Sequence, residues 1–349
     1  MEREGARGSA VAFGGHLRVP PAQAVDRLRS RLRPYGYAPF LQRDNGLDWV
    51  QVLPIAEVGE RSNVSTHVLL FVATVATTLL AGCFLSGVSP QAIVAHPARV
   101  LTGLPFAASL LAILGVHELG HYALGRRRGM AVSLPYFLPL PPFPGMLMTG
   151  TLGAVIRLRS AARDRRALFD MAVAGPLAGL AIALPVYAVG LRLSPIIRIP
   201  EGVALRGIQL GDSVLAKLIE WLVVGPLPKN AEILLHPVGL AGWFGFLVTT
   251  LNLIPAGQLD GGHIVYALFG RRHQLIGRCA AAVLLAMGVA FRSPTWLVWA
   301  FLIVGVMGLQ HGPTMDDVTP VGPGRRALGA VALILLILLI PPVPLSVPH

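Results

Sequence analysis

Along most of this chain the apolar positions neither alternate nor keep to one helical face; they run together. Long unbroken apolar runs mark elements that are apolar all round, as membrane-spanning helices are. Such runs cover residues 66–85, 100–124, 167–191, 238–254, 275–291, 295–309 and 327–340. A straight crossing takes roughly 20 residues, so the pattern predicts an all-α polytopic membrane protein of about six or seven transmembrane helices, the last two runs being the shortest.

Two stretches depart from this. In residues 1–65 the polar fraction rises. Pro20 and Pro21 open a helical pattern with Val25, Leu28 and Leu32 on one face. Residues 37–42 and 47–53 read as short strands around Arg43-Asp44-Asn45-Gly46, because Asn-Gly tolerates the positive φ of a tight hairpin turn. With a first strand over 11–18, residues 1–65 form a small soluble α+β domain, followed by a transmembrane domain over 66–349. The other departure is 131–150, apolar yet carrying Pro135, Pro139, Pro141, Pro142 and Pro144. Prolines at this density forbid a helix. Lipid cannot satisfy the freed backbone groups, so the segment must be buried in protein or line a wet cavity. A re-entrant loop or hairpin is expected.

Composition agrees. The 349 residues are 54% hydrophobic and 13% charged, about half the charge of an ordinary soluble domain. The net charge of +12 raises nucleic acid as a partner and then excludes it, because only Lys217 and Lys229 are lysines and the arginines sit beside apolar runs. Arg27, Arg29, Arg31 and Arg33 on the N-terminal helix suit either anionic lipid or plain solvent. Cys83 and Cys279 both lie in apolar runs and read as buried small hydrophobes rather than a disulfide.

No signal-peptide core precedes residue 65, so the N-terminus is expected in the cytoplasm. Alternation then puts Arg126, Arg127, Arg128, Arg157, Arg159, Arg163, Arg165, Arg166, Arg271, Arg272, Arg325 and Arg326 inside. The outer loops keep the sparser Arg99, Arg192, Arg198, Arg206, Lys217, Lys229 and Arg292. This obeys the positive-inside rule for a multi-pass protein of the cell (inner) membrane, and brings the ends of the second and fourth runs to the cytoplasmic side.

The sharpest chemical signal is His117-Glu118-Leu119-Gly120-His121 at the end of an apolar run. Residues i and i+4 share a helix face, so both imidazoles can reach one metal ion, with Glu118 beside them to take a proton from water. Ionisable groups at membrane depth default to function. A catalytic zinc site wants a third protein ligand. The later glutamates Glu201, Glu220 and Glu232 fall on the outer side. Asp164 and Asp170 sit near a helix start among arginines and read as capping and salt-bridging groups. Asp260 remains, following Pro255 and Gly257, which should break the fourth run at the depth of the histidine pair. It reads as the third ligand, or else as a plain turn aspartate. His263 is a neighbouring group or a lower-ranked ligand.

These motifs resemble the site-2 proteases, a family of intramembrane zinc metalloproteases. The resemblance rests on His117 to His121, on Asn252, Pro255, Leu259, Asp260 and Gly261, and on Ala174-Gly175-Pro176-Leu177-Ala178-Gly179. Ala167-Leu168-Phe169-Asp170, the run 239–262 and His311 to Asp317 look like the chloroplast and cyanobacterial branch, whose plant members are the ethylene-dependent gravitropism-deficient-and-yellow-green proteins. Unlike other branches, the chain shows no PDZ insertion and no CBS pair. The resemblance implies one Zn2+ per chain on His117, His121 and Asp260. It implies Glu118 as general base, Asn252 as a hydrogen-bond donor to substrate or oxyanion, and Gly150, Thr151, Leu152 and Gly153 as the substrate-side edge. The partners it implies are membrane-embedded protein substrates within the bilayer. Gly175-Pro176 reads as a close-packing site rather than a substrate contact.

Three other readings compete with this one. A polytopic metal-ion transporter would need further polar groups along a path, and the apolar runs hold one dense cluster near one face. A silent adaptor would not need Glu118. A different membrane zinc protease would place the third ligand elsewhere.

Overall fold

The structure is a computed structural model describing residues 2–4, 11–54, 63–142, 149–198, 209–228 and 230–346. Glu201, Arg206, Lys229 and the centre of the proline-rich stretch, 143–148, lie outside the described residues.

The polar N-terminal part builds an antiparallel sheet and one helix. Its elements are β1 (Glu2–Glu4), β2 (Val11–Gly15), α1 (Pro21–Leu32), β3 (Tyr37–Asp44) and β4 (Leu47–Pro54), with sheet order β1-β2-β4-β3. Asn45 and Gly46 take φ of 49° and 79°, which both positions of a type I′ hairpin require. Pro21 opens α1, where a missing N–H costs nothing. Strand β1 was not legible as a strand in the sequence.

This sheet is not free-standing. The Leu41 N–H donates to the Met315 carbonyl at 2.8 Å, and the Asp317 N–H donates back to Leu41 at 3.0 Å. On its other side the same segment donates from Met315 to Ala162 and from Asp316 to Arg163, both at 2.9 Å. Residues 314–317 are thus a strap between β3 and 162–164, closed over by Val25, Ala38, Leu41 and Met315. Asp26–Arg163 at 2.5 Å and Asp44–Arg271 at 2.8 Å reinforce it.

The rest is mainly helical: α2 (Val64–Leu85), α3 (Pro90–Ala95), α4 (Leu104–Arg127), the strands β5 (Tyr136–Pro139) and β6 (Thr151–Val155), then α5 (Arg165–Leu193). Short strands β7 (Ile196–Arg198), β8 (Gln209–Leu210) and β9 (Ala231–Ile233) flank α6 (Val214–Val223). Then come α7 (Pro237–Leu253), α8 (Asp260–Phe269), α9 (His273–Ala290), α10 (Pro294–Phe301), α11 (Pro323–Leu339) and β10 (Leu345–Ser346). Every apolar run of the sequence is a helix within a few residues of its expected bounds, although 275–291 is extended toward the N-terminus by α8. Among the described residues four segments are long and apolar enough to cross a membrane: Val64–Leu85, Pro97–Arg127, Arg165–Leu193 and Asp260–Ala290. Pro237–Leu253 and Pro294–Met307 are shorter apolar helices.

The centre of the bundle is α4, α5 and α7, where Phe106, Leu110, Ile113, Leu180, Tyr187 and Phe244 form the core. Glycines let backbones touch: a Cβ on Gly190 of α5 would overlap the Gly239 backbone of α7, the small-residue packing of helices that lack a hydrophobic drive toward each other in lipid. The outer faces stay apolar, with Leu69 and Val72 on α2 and Val283 and Val289 on α9 exposed, as lipid contact requires. Cys279 belongs to that outer face. The expectation that both cysteines are buried therefore holds for Cys83 and fails for Cys279, which follows the exposed Arg278 on α9.

The proline-rich stretch is a hairpin, β5 against β6 with a bulge at Leu138/Pro139. Neighbouring α2 satisfies its backbone: His67 Nδ1 lies 3.0 Å from the Pro135 carbonyl, and Thr77 Oγ1 donates to the Gly150 carbonyl at 2.6 Å.

Candidate metal centre

The second half of helix α4 carries His117-Glu118-Leu119-Gly120-His121, and the i, i+4 spacing turns both imidazoles toward α5. Their Nε2 atoms are 3.1 Å apart. The α5 wall facing them is glycine. A Cβ on Gly175 would overlap the His121 ring, and one on Gly179 would stand 3.0 Å from the His117 Cβ. His121 Nδ1 lies 2.8 Å from the Met171 carbonyl. A carbonyl can only accept, so this nitrogen carries a proton, and in the neutral ring Nε2 is then the one with the lone pair.

The third group arrives through a broken helix. Helix α7 stops at Leu253, ahead of Pro255, and Gly257 turns the chain at φ 57°. Gly261 and Gly262 then press against the carbonyls of 253–257, where any side chain would collide. The turn is thereby compact enough to put Asp260, first residue of α8, beside the histidines. Asp260 Oδ2 lies 3.5 Å from His117 Nε2 and 3.2 Å from His121 Nε2. Among the described residues His117, His121 and Asp260 are the one set of His, Cys, Asp or Glu side chains able to share an ion. Two buried imidazole nitrogens and a half-buried carboxylate oxygen fit a small divalent cation of zinc type. Asn252, in the last turn of α7, brings its amide nitrogen to 3.3 Å from His117 Nε2.

Glu118 is buried, and its Oε2 has no hydrogen-bond partner among the described residues. A buried carboxylate oxygen without a donor is costly and is free to take a proton.

These groups lie in a cleft of about 1290 Å³ that runs past the strand wall to α1 and β3. The wall comprises residues 154–162, including Ile156 and Leu158. Gly150, Thr151, Leu152 and Gly153 stand beyond it. Gly150 packs on the backbone of Thr77 and Thr78, and the Thr151 hydroxyl bonds the Leu138 carbonyl. The wall was missed in sequence, where alternation in Ile156-Arg157-Leu158-Arg159 was its only trace.

Asp164 and Asp170 do what a helix start among arginines suggested. Asp164 caps α5, accepting from the Ala167 N–H at 2.7 Å, and Asp170 pairs with Arg325 at 2.7 Å and with Arg128. His263 is outside the ligand set; its Nδ1 lies 2.6 Å from His311 Nε2. His311 stacks on Tyr266 with centroids 4.1 Å apart, and the Tyr266 hydroxyl donates to Asp317 at 2.5 Å. Burial pushes the His311 imidazole below its ordinary value, against the opposing pull of the Gly312 carbonyl. The strap that holds the N-terminal sheet therefore also braces α8, whose first residue is Asp260.

Residues 105–293, more than half of the chain, match Peptidase family M50. The chain is 33% identical over 248 residues to "Probable zinc metalloprotease EGY1, chloroplastic" of Arabidopsis thaliana, an alignment covering 69% of this chain and 43% of the relative. It is 32% identical over 245 residues to EGY2 of the same plant, covering 70% and 42%. To the rice EGY2 of Oryza sativa subsp. indica it is 27% identical over 348 residues, covering 96% and 62%. The chain spans less than half the length of the first two. No solved structure matches it.

Proposed function

Because the chain belongs to Peptidase family M50, we propose that it is an intramembrane zinc metalloprotease of the site-2 type, cutting peptide bonds within or near transmembrane helices of membrane-anchored proteins. The observation that carries this reading is the grouping of His117, His121 and Asp260 beside Glu118, whose Oε2 has no hydrogen-bond partner among the described residues, in the second half of an apolar helix. Nothing in the family match or in the polar groups supports a transporter.

In this reading one zinc per chain is held by His117, His121 and Asp260. Zinc supplies Lewis-acid polarisation of a carbonyl and acidification of water. Glu118 takes the proton of the attacking water and returns it to the leaving amine. The Asn252 amide donates to the substrate carbonyl as charge gathers on its oxygen. The Met171 carbonyl keeps His121 in the tautomer that presents Nε2. Peptide hydrolysis needs an extended substrate, so a helix must unwind before it can lie in the cleft. The side of β6 that does not pair with β5, Thr151 to Gly153 with Gly150 just ahead of them, offers a backbone edge for it. The protein is read as six or seven spans in the cell's inner membrane, with 1–65 and the metal end in the cytoplasm.

The test is Glu118→Gln, which keeps the size and removes the base. Zinc content should match the unsubstituted protein, while cleavage of a membrane-embedded substrate in liposomes falls by at least about 100-fold. Cleavage at the original rate with zinc bound would sink the reading.

A further inference from the structure

Four arginines line the cleft that holds the candidate metal centre: Arg29 and Arg33 on one wall, Arg157 and Arg159 on the other. Each pair owes its common direction to local geometry. Arg29 and Arg33 are four residues apart across the end of α1 and so share a helical face. Arg157 and Arg159 are two apart on an extended segment and so share a strand face. That segment is held in register by Ser133 and Ala131: the Arg157 N–H donates to Ser133 Oγ at 2.8 Å, and the Arg159 N–H to the Ala131 carbonyl at 2.8 Å.

None of the four is paired with a carboxylate among the described residues. Arg43, Arg128, Arg163, Arg165, Arg271 and Arg325 each are. Arg33 and Arg157 are exposed, Arg29 and Arg159 half-buried, whereas His117, Glu118 and His121 at the base are buried and Asp260 is half-buried. The cleft is thus neutral to acidic at its base and strongly positive toward solvent.

We propose that this arginine mouth selects substrates by charge: it binds an acidic segment flanking the scissile region and repels a basic one. The proposal rests on the proteolytic reading and names the substrate class for that same cleft. Its consequence follows from membrane topology. In the proposed orientation the arginine-rich side is the cytoplasmic one, and there the ends of most transmembrane segments carry Lys or Arg. A positive mouth excludes those ordinary flanks and admits the uncommon acidic ones, so discrimination comes from repulsion as much as from attraction. A peptide is favoured over anionic lipid because the arginines, from two separate elements, line a cleft shared with the metal site, where a flat headgroup layer would need them on an open surface.

The experiment uses the full chain in neutral phosphatidylcholine liposomes with three versions of one single-pass substrate. They differ only in the flank on the arginine side, which is Asp/Glu-rich, Ser/Gly-rich or Lys/Arg-rich. Cleavage should fall in that order, with about a tenfold span at low salt that narrows as salt is added. The double variant Arg29→Glu, Arg33→Glu sets two glutamates against the two remaining arginines and should abolish the order. The matched pair Arg27→Glu, Arg31→Glu changes the same helix by the same charge away from the cleft and should leave the order intact. Arg157→Gln with Arg159→Gln should shrink the span without reversing it. Equal, measurable rates for the three substrates would overturn the charge selection and leave the protease reading standing. An order seen only in phosphatidylglycerol vesicles, or shifted as far by the Arg27/Arg31 pair, would overturn it in favour of lipid. No cleavage of any version overturns both.

Discussion

Gly175 stands where any side chain would occupy the ring of His121. The two residues sit on different helices, and the missing Cβ on α5 is the space in which the α4 imidazole turns its Nε2 toward Asp260, 3.2 Å away. The glycine is therefore part of the candidate centre without touching an ion.

Gly175→Ala should force the His121 ring aside. Overpacking of a filled interior typically costs about 1–3 kcal/mol, and loss of ligand orientation weakens metal binding by roughly 10- to 100-fold. Zinc content after purification at limiting metal should drop sharply while the helical signal persists. Gly179→Ala, whose added Cβ would sit 3.0 Å from the His117 Cβ, should lose less. Full zinc retention in Gly175→Ala would show that the ring can move without cost.

Asp260→Ala should abolish stoichiometric zinc, as should His117→Ala and His121→Ala. Chelation should inactivate the unsubstituted protein, and added zinc should restore it. Asp260→Ala purified with one zinc per chain would assign the third ligand elsewhere.

Acid should loosen the N-terminal sheet through Asp48. Arg43 Nε donates to its carboxylate at 2.7 Å, and the Leu17 N–H does so at 3.2 Å. The Arg43 hydrogen bond holds the carboxyl below its ordinary value of 3.8, against the cost of burial. A carboxyl lowered in the folded state contributes stability that is present above its ordinary value and is lost as pH falls through the lowered one. Emission of Trp49, adjacent in β4, should therefore change below about pH 4, and Asp48→Asn should flatten that change. An identical acid profile in Asp48→Asn would remove this carboxylate from the account.

Orientation can be read by labelling. With Cys83 and Cys279 first replaced, Arg127→Cys and Arg271→Cys should react only from the cytoplasmic side, and Lys217→Cys only from the other. Reaction of Arg127→Cys and Lys217→Cys from the same side would break the proposed orientation.

What the sequence by itself determined was local. The apolar runs became helices because apolarity all round is a property of a segment and needs no partner. Asn45-Gly46 made its turn because φ is chosen residue by residue. His117 and His121 share a face because the helical period is the same in any helix, and Asp164 and Asp170 were legible as capping and pairing groups from the charges beside them. What only the tertiary structure decided was which distant surfaces meet. That Asp260 closes on the histidines depends on how tightly 254–259 can fold and on α5 having no side chain at Gly175. That 154–162 line the cleft next to Gly150 to Gly153, and that His263 turns to His311, depends on a hairpin braced by α2 and a strap laid between β3 and 162–164. Those contacts join residues far apart in the chain. Their free energy comes from fit between surfaces, and the order of residues along one segment carries no record of the surface it will face.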